Sequence, residues 1–77
     1  MTATKNPHDR SIFAQRLRKA RLAKGWTQRE LAWYLRTDQG RVINLENDKH
    51  TPRIGALTEI AKLLGVRVGW LLGEEGE

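Results

Sequence analysis

The stretch whose reading decides the fold is Thr27–Glu46, TQRELAWYLRTDQGRVINLE. Thr27 followed three residues later by Glu30 is a T-x-x-E capping box, in which each side chain accepts a hydrogen bond from the other residue's backbone N–H. It opens a helix predicted over about Gln28–Leu35. Asp38 is a second N-cap, for a helix over about Gln39–Glu46, and Arg36-Thr37-Asp38 is the tight connection between them. Leu31, Ala32, Leu35, Val42 and Leu45 recur at spacings that give the two short helices one shared buried face. Gln39, Gly40, Arg41, Ile43, Asn44 and Asn47 are left outside, and several of them can meet the donor and acceptor edge of a base pair.

Working outward, a preceding helix is expected over about Ile12–Lys24, with Ser11 as its N-cap. Phe13, Leu17 and Ala20 form its inward stripe, Arg16, Arg18, Lys19 and Lys24 cover its other sides, and Gly25 is its left-handed stop. Trp26 is expected to fold back into the core. Residues 47–52 read as a polar loop. A fourth helix begins near Arg53 or Ile54 and ends at Leu64 before Gly65, with Ile54, Leu57, Ile60, Ala61 and Leu64 inward. A short fifth helix, about Val68–Leu72, carries Trp70, Leu71 and Leu72. Five short helices without a strand signal or repeat define an all-α fold. The expected organisation is an N-terminal arm over 1–10, one domain over 11–73 and an acidic tail over 74–77.

The chain has 77 residues, no cysteine and a net charge of +5. A chain of this size builds a small core, and without cysteine no disulfide or thiolate metal site can staple it. No apolar run is long enough to span a bilayer, and MTATKNPHDRS lacks the apolar stretch of a signal peptide, so the expected location is the cytoplasm. Glu74, Glu75 and Glu77 hold three of the nine acids. Residues 1–72 therefore carry 14 bases against six acids, a surplus of eight that suits a polyanionic partner as well as it suits a solubilising surface.

RLRKARLAKGWTQRELAWYL, the helix that follows it, NDKHTP, LTEIAKLLGV and VGWLLG, in that order and spacing, resemble the lambda repressor and Cro family of helix-turn-helix domains over about residues 12–73. The resemblance implies a compact five-helix domain whose third helix lies in the major groove, with the second crossing the backbone. It implies base-reading by Gln39, Gly40, Arg41, Ile43 and Asn44, with Gln39 pairing with adenine. It also implies phosphate contacts from Gln28, Asn47, Lys49, His50, Thr51 and Arg53, and a hydrogen bond between Gln28 and Gln39. The carboxamide of Gln39 has the donor and acceptor that the adenine edge needs, whatever the family. Arg41 fits either a guanine or a phosphate; Asn44 fits an adenine or a phosphate; Ile43 fits a thymine methyl or the edge of the core. Arg21 and Glu46 match a structural ion pair of the family, and two-fold dimers are its usual binding form. Val66, Val68, Trp70 and Leu71 are the expected dimer surface, shared in some proportion with the monomer core.

Three departures from the family pattern stand out. Arg36 and Asp48 replace common glycines where a positive φ is expected, which Asp tolerates better than Arg. Trp33 and Tyr34 fall on the outer side of the second helix, where they mark either a partner surface or a face covered by the N-terminal arm. His8 and His50 stand apart without clustered carboxylates, Ser11 reads as a cap, and no Gly-rich phosphate loop occurs. Neither a metal, a cofactor nor an enzymatic reaction is therefore expected. The two readings that remain are a sequence-specific transcriptional regulator, a repressor that binds operator DNA as a two-fold homodimer, and an antitoxin-like or adaptor module using Trp33 and Tyr34 on the same fold.

Overall fold

The computed structural model describes residues 8–47 and 52–75, with side chains from residue 12 onward. These form α1 (His8–Ala23), α2 (Gln28–Leu35), α3 (Gln39–Glu46), α4 (Ile54–Leu64) and α5 (Val68–Leu71), with no strand among the described residues. All five helices contribute to one core, in which Phe13, Leu17, Leu31, Val42, Leu45 and Leu71 are the fully enclosed large side chains.

The two central helices begin where their caps place them. Glu30 donates its backbone N–H to Thr27 Oγ1 at 3.0 Å, and Thr27 donates its own to Glu30 Oε1 at 2.8 Å. Asp38 Oδ1 accepts from the Arg41 backbone at 2.8 Å. These caps occupy donors that the first turn of a helix leaves unpaired. A Cβ on Gly40 would sit 3.2 Å from that same Asp38 oxygen, so the glycine leaves room for the cap.

The connection between α2 and α3 is made by Arg36 in the left-handed region, φ 60° and ψ 43°. It is the one non-glycine residue with positive φ among those described. Its N–H, and that of Thr37, close the end of α2 on the carbonyls of Trp33 and Ala32. The chain accepts a conformation disfavoured for a residue with a Cβ because both flanking helices are pinned by the core.

Three expectations are corrected. α1 starts at His8 rather than after a cap at Ser11, so residues 8–10 of the expected arm are helical. Once Phe13 and Leu17 anchor the helix, each further residue adds a backbone hydrogen bond without a new nucleation cost. Ile54, expected inward, is 68% exposed. It is the first residue of α4 and lies beyond the neighbours that cover Leu57, Ile60 and Ala61. Leu71, placed at the dimer surface, is completely buried and closes the monomer core, while Val66, Val68 and Trp70 are half-buried against that core. Trp26 does fold back against the core, half-buried, with its ring stacked on Tyr34 at a centroid distance of 4.3 Å.

The end of the described chain is tied to its beginning. Arg16 Nη1 donates to the carbonyls of Trp70 at 2.6 Å and Glu75 at 2.8 Å, and its guanidinium lies over the Trp70 ring at 5.1 Å. Gly73, at φ 82°, lies so close to Ile12 that a Cβ would approach Ile12 Cγ2 to 2.8 Å.

Two substitutions test these contacts. Arg36→Gly is expected to stabilise by about 1 kcal/mol, since glycine enters the left-handed region freely. That gain raises Tm by about 4–8 °C in a domain of this size, and thermal unfolding by circular dichroism would show it. Leu71→Ala is expected to cost about 2–5 kcal/mol by opening a cavity in the core, measured by urea unfolding. A loss confined to self-association, with unfolding unchanged, would return Leu71 to an intermolecular role.

Candidate nucleic-acid interface

The exposed side of α3 carries Gln39, Gly40, Arg41 and Asn44, and Asn47 continues it at the helix end. Ile43 is half-buried on the flank of this face, and Val42, Leu45 and Glu46 are buried behind it. The alternation follows from the helical period: the residues that pack against α2 cannot also point outward. The result is a short polar strip with a carboxamide at each end and a guanidinium between them. Arg53 is exposed immediately before α4, whose first turn receives no side-chain cap. Lys49, His50 and Thr51, together with Asp48, lie outside the described residues.

The strip is held by Glu46, the last residue of α3. Its side chain is fully buried. Arg21 donates to it through both Nε, at 2.7 Å to Oε2, and Nη2, at 3.1 Å to Oε1. Arg21 also donates through Nη1 to the Trp26 carbonyl at 2.7 Å, so one guanidinium joins α1, the α1–α2 turn and α3. Two parallel N–H···O bonds fix orientation as well as distance.

Two further donors converge on the same carboxylate. Arg18 Nε is 3.5 Å from Glu46 Oε1, and Arg18 Nη2 reaches the Glu46 carbonyl at 3.4 Å. Gln28 Nε2 donates to Oε1 at 3.2 Å. The expected Gln28–Gln39 hydrogen bond is therefore replaced: Gln28 is held by the end of α3 rather than by its beginning. A buried anion is costly unless surrounded by donors, and the Gln28 amide adds one more donor to the Glu46 oxygen that already accepts from Arg21. The Gln28 amide has a second N–H, which remains available on its half-exposed side.

Arg18 is the residue that the sequence reading missed. It precedes Arg21 by three positions, so the two side chains emerge on neighbouring flanks of α1. That spacing was a visible signal that the acid paired with Arg21 would meet a second guanidinium. No group of three or more His, Cys, Asp or Glu is placed to hold a metal ion among the described residues, and no described helix is long and apolar enough to cross a membrane.

A family model described as helix-turn-helix matches residues 17–71. The chain belongs to the helix-turn-helix family, of the lambda-repressor-like type. It is similar to the SPbeta prophage-derived uncharacterized HTH-type transcriptional regulator YonR of Bacillus subtilis (strain 168), 33% identical over 61 residues. That match takes in 79% of this chain and 56% of YonR, so the chain spans little more than half of that relative's length. Among solved structures it is similar to a hypothetical transcription factor, NHTF, from Neisseria. There the TM-score is 0.76 at 32% identity, over 82% of this chain and 72% of the other. The matched family segment includes Arg18, Arg21, Gln28, the whole of α3 and Leu71.

The Glu46 hub makes a specific energetic statement. Glu46→Ala leaves Arg21 buried without its counter-charge and is expected to destabilise by about 3–5 kcal/mol. Adding Arg21→Met to that variant is expected to recover a substantial part of the loss, since neither charge is then stranded. Urea unfolding of the single and double variants measures both values; additive losses would show that the two side chains act independently.

Proposed function

We propose that the chain is a sequence-specific, double-stranded-DNA-binding transcriptional regulator, acting as a repressor on a two-fold operator. The observation that carries the reading is the exposed strip of α3, Gln39, Gly40, Arg41 and Asn44, fixed from behind by a fully buried Glu46. A side chain that reads a base must be held in place before it arrives, and this strip rides on a helix clamped at its far end by three side chains. The family and the relatives described as transcriptional regulator and transcription factor support the same reading.

In this reading α3 enters the major groove and α2 lies across the phosphate backbone. Gln39 offers its carboxamide to adenine, and Arg41 its guanidinium to guanine or to a phosphate. Asn44 reaches an adenine or a phosphate, Ile43 meets a thymine methyl at the edge of the strip, and Gly40 permits close approach. Gln28, with one amide N–H on Glu46, turns the other to a phosphate. Asn47, Lys49, His50, Thr51 and Arg53 complete the backbone contacts. A surplus of positive charge over residues 1–72 steers the protein to DNA and makes the affinity salt-dependent. Two copies on adjacent half-sites would give the operator its symmetry. Val66, Val68 and Trp70 are the residues of the expected dimer face that retain partial exposure.

The test is selection of a DNA consensus followed by anisotropy titrations at several salt concentrations. Gln39→Ala is expected to lose about 1–3 kcal/mol on the selected site and little on random duplex, whereas Arg53→Ala is expected to weaken both alike and lower the salt slope by about one. Equal affinity of the parent protein for selected and random duplex would remove the claim of sequence specificity.

A further inference from the structure

The largest exposed hydrophobic side chain is far from the strip of α3 in chemical character. Trp33 is 74% exposed, and Tyr34 beside it is 44% exposed. Leu31, Ala32 and Leu35 turn inward, so the helical period sends residues 33 and 34 to the outer side of α2. An eight-residue helix of a small domain does not gain from an exposed tryptophan there, and large exposed apolar groups are where partners bind.

Three rings form a continuous series. Trp26 stacks on Tyr34 at 4.3 Å with an interplanar angle of 22°, and Tyr34 meets Trp33 edge-on at 5.0 Å and 81°. Stacked and edge-to-face pairs restrain one another, so the rings are presented in fixed orientations rather than as separate mobile groups. A groove bounded by Trp33, Tyr34, Arg36 and Thr37 opens at the end of α2. It is continued by a second depression in which Arg36 is joined by Lys62 and Glu59.

The charges around the rings are mainly positive. Lys24 Nζ lies over the Trp26 ring at 5.7 Å. Arg36, exposed at the end of α2, borders both depressions. Against them stand Glu59 and Glu30, so three cations, Lys24, Arg36 and Lys62, face two anions. Rigid aromatic surface rimmed by a basic excess matches a ligand with apolar side chains on an acidic backbone of sequence.

We infer that the outer face of α2 is a docking site for an acidic, apolar-bearing peptide segment of a partner protein, with Trp33 as its anchor and Arg36 and Lys62 as its charge selectors. The ring series itself lies on α2, whereas Arg36 and Glu59 also line a cavity shared with Arg41 of the α3 strip, so the aromatic anchor and not the basic rim separates this face from the strip. Aromatic and arginine side chains are the residue types that dominate binding energy at protein interfaces.

The three tryptophans give the experiment its internal control, since Trp70 lies under Arg16 on α1 and takes no part in the ring series. A short peptide alternating Asp with Leu and Phe is titrated into the 15N-labelled protein, with its Lys-for-Asp counterpart in parallel. The expected result is movement of the Trp33 and Trp26 indole N–H signals, a stationary Trp70 signal, and no comparable response to the Lys peptide. Trp33→Ala and Arg36→Gly are each expected to weaken the acidic peptide by about tenfold or more, the scale of an interface anchor. Trp33→Ala should keep the parent affinity for selected duplex DNA.

Stationary Trp33 and Trp26 signals at millimolar peptide overturn the proposal. So does equal response to the two peptides, which would make the face an unselective apolar patch. Loss of DNA affinity in Trp33→Ala would make it part of a nucleic-acid surface, and concentration-dependent shifts without peptide would make a second copy its occupant. Either outcome also overturns it. Failure of the parent protein to bind DNA, with the peptide result intact, would count against the regulator reading alone.

Discussion

The structure depends on a single buried carboxylate. Glu46 has no solvent to stabilise it, and its charge is tolerable only because Arg21 grips both oxygens while Gln28 and Arg18 approach one of them. Each donor comes from α1 or from the start of α2, whereas the acceptor ends α3. The requirement that one anion be surrounded thus fixes the relative placement of three helices. Apolar packing brings Leu17, Leu31, Val42 and Leu45 together, but packing of this kind tolerates small rotations. A bidentate pair with a third bond from Arg21 to the Trp26 carbonyl does not.

That constraint explains the division of the surface. α3 is short, and its inner side is fully occupied by Val42, Leu45 and Glu46, so its outer side is free to be polar without loss of stability. α2 is equally short, with Leu31 and Ala32 inward, yet its outer side is aromatic. The two helices thus present different chemistry in different directions from one rigid unit.

The parts of this arrangement that sequence alone reveals are those governed by local chemistry. α2 and α3 fall where Thr27, Glu30 and Asp38 cap them, because a cap is a bond between residues three apart and requires nothing from the rest of the chain. Gly25 and Gly65 mark helix ends for the same reason, both standing at positive φ. What was not legible depends on distant neighbours. The start of α1 follows from how well its later turns are anchored, not from Ser11. Ile54 has the spacing of a core residue but lies past the edge of the core. Leu71 is apolar in either of its two roles, and only the position of α5 against the core decides between them. The Arg21–Glu46 pair came from family resemblance, with Gln28 assigned to Gln39. The choice of Glu46 instead was set by where the buried anion lies.

The contacts of Arg16 carry a consequence for synthesis of the chain. Its bonds to the carbonyls of Trp70 and Glu75 join residues 54 and 59 positions apart, whereas Arg21 and Glu46 are separated by 25. Contacts of long sequence separation carry the larger loop-closure cost and form only when the distant partner exists. On a ribosome, the helices that make the polar strip can therefore emerge and pair well before the domain is closed. The first helix stays without its last neighbour, and Phe13 and Leu17 without Leu71, until the final turn leaves the exit tunnel. Closure of the domain thereby waits for synthesis of residues 70–75, whatever follows them.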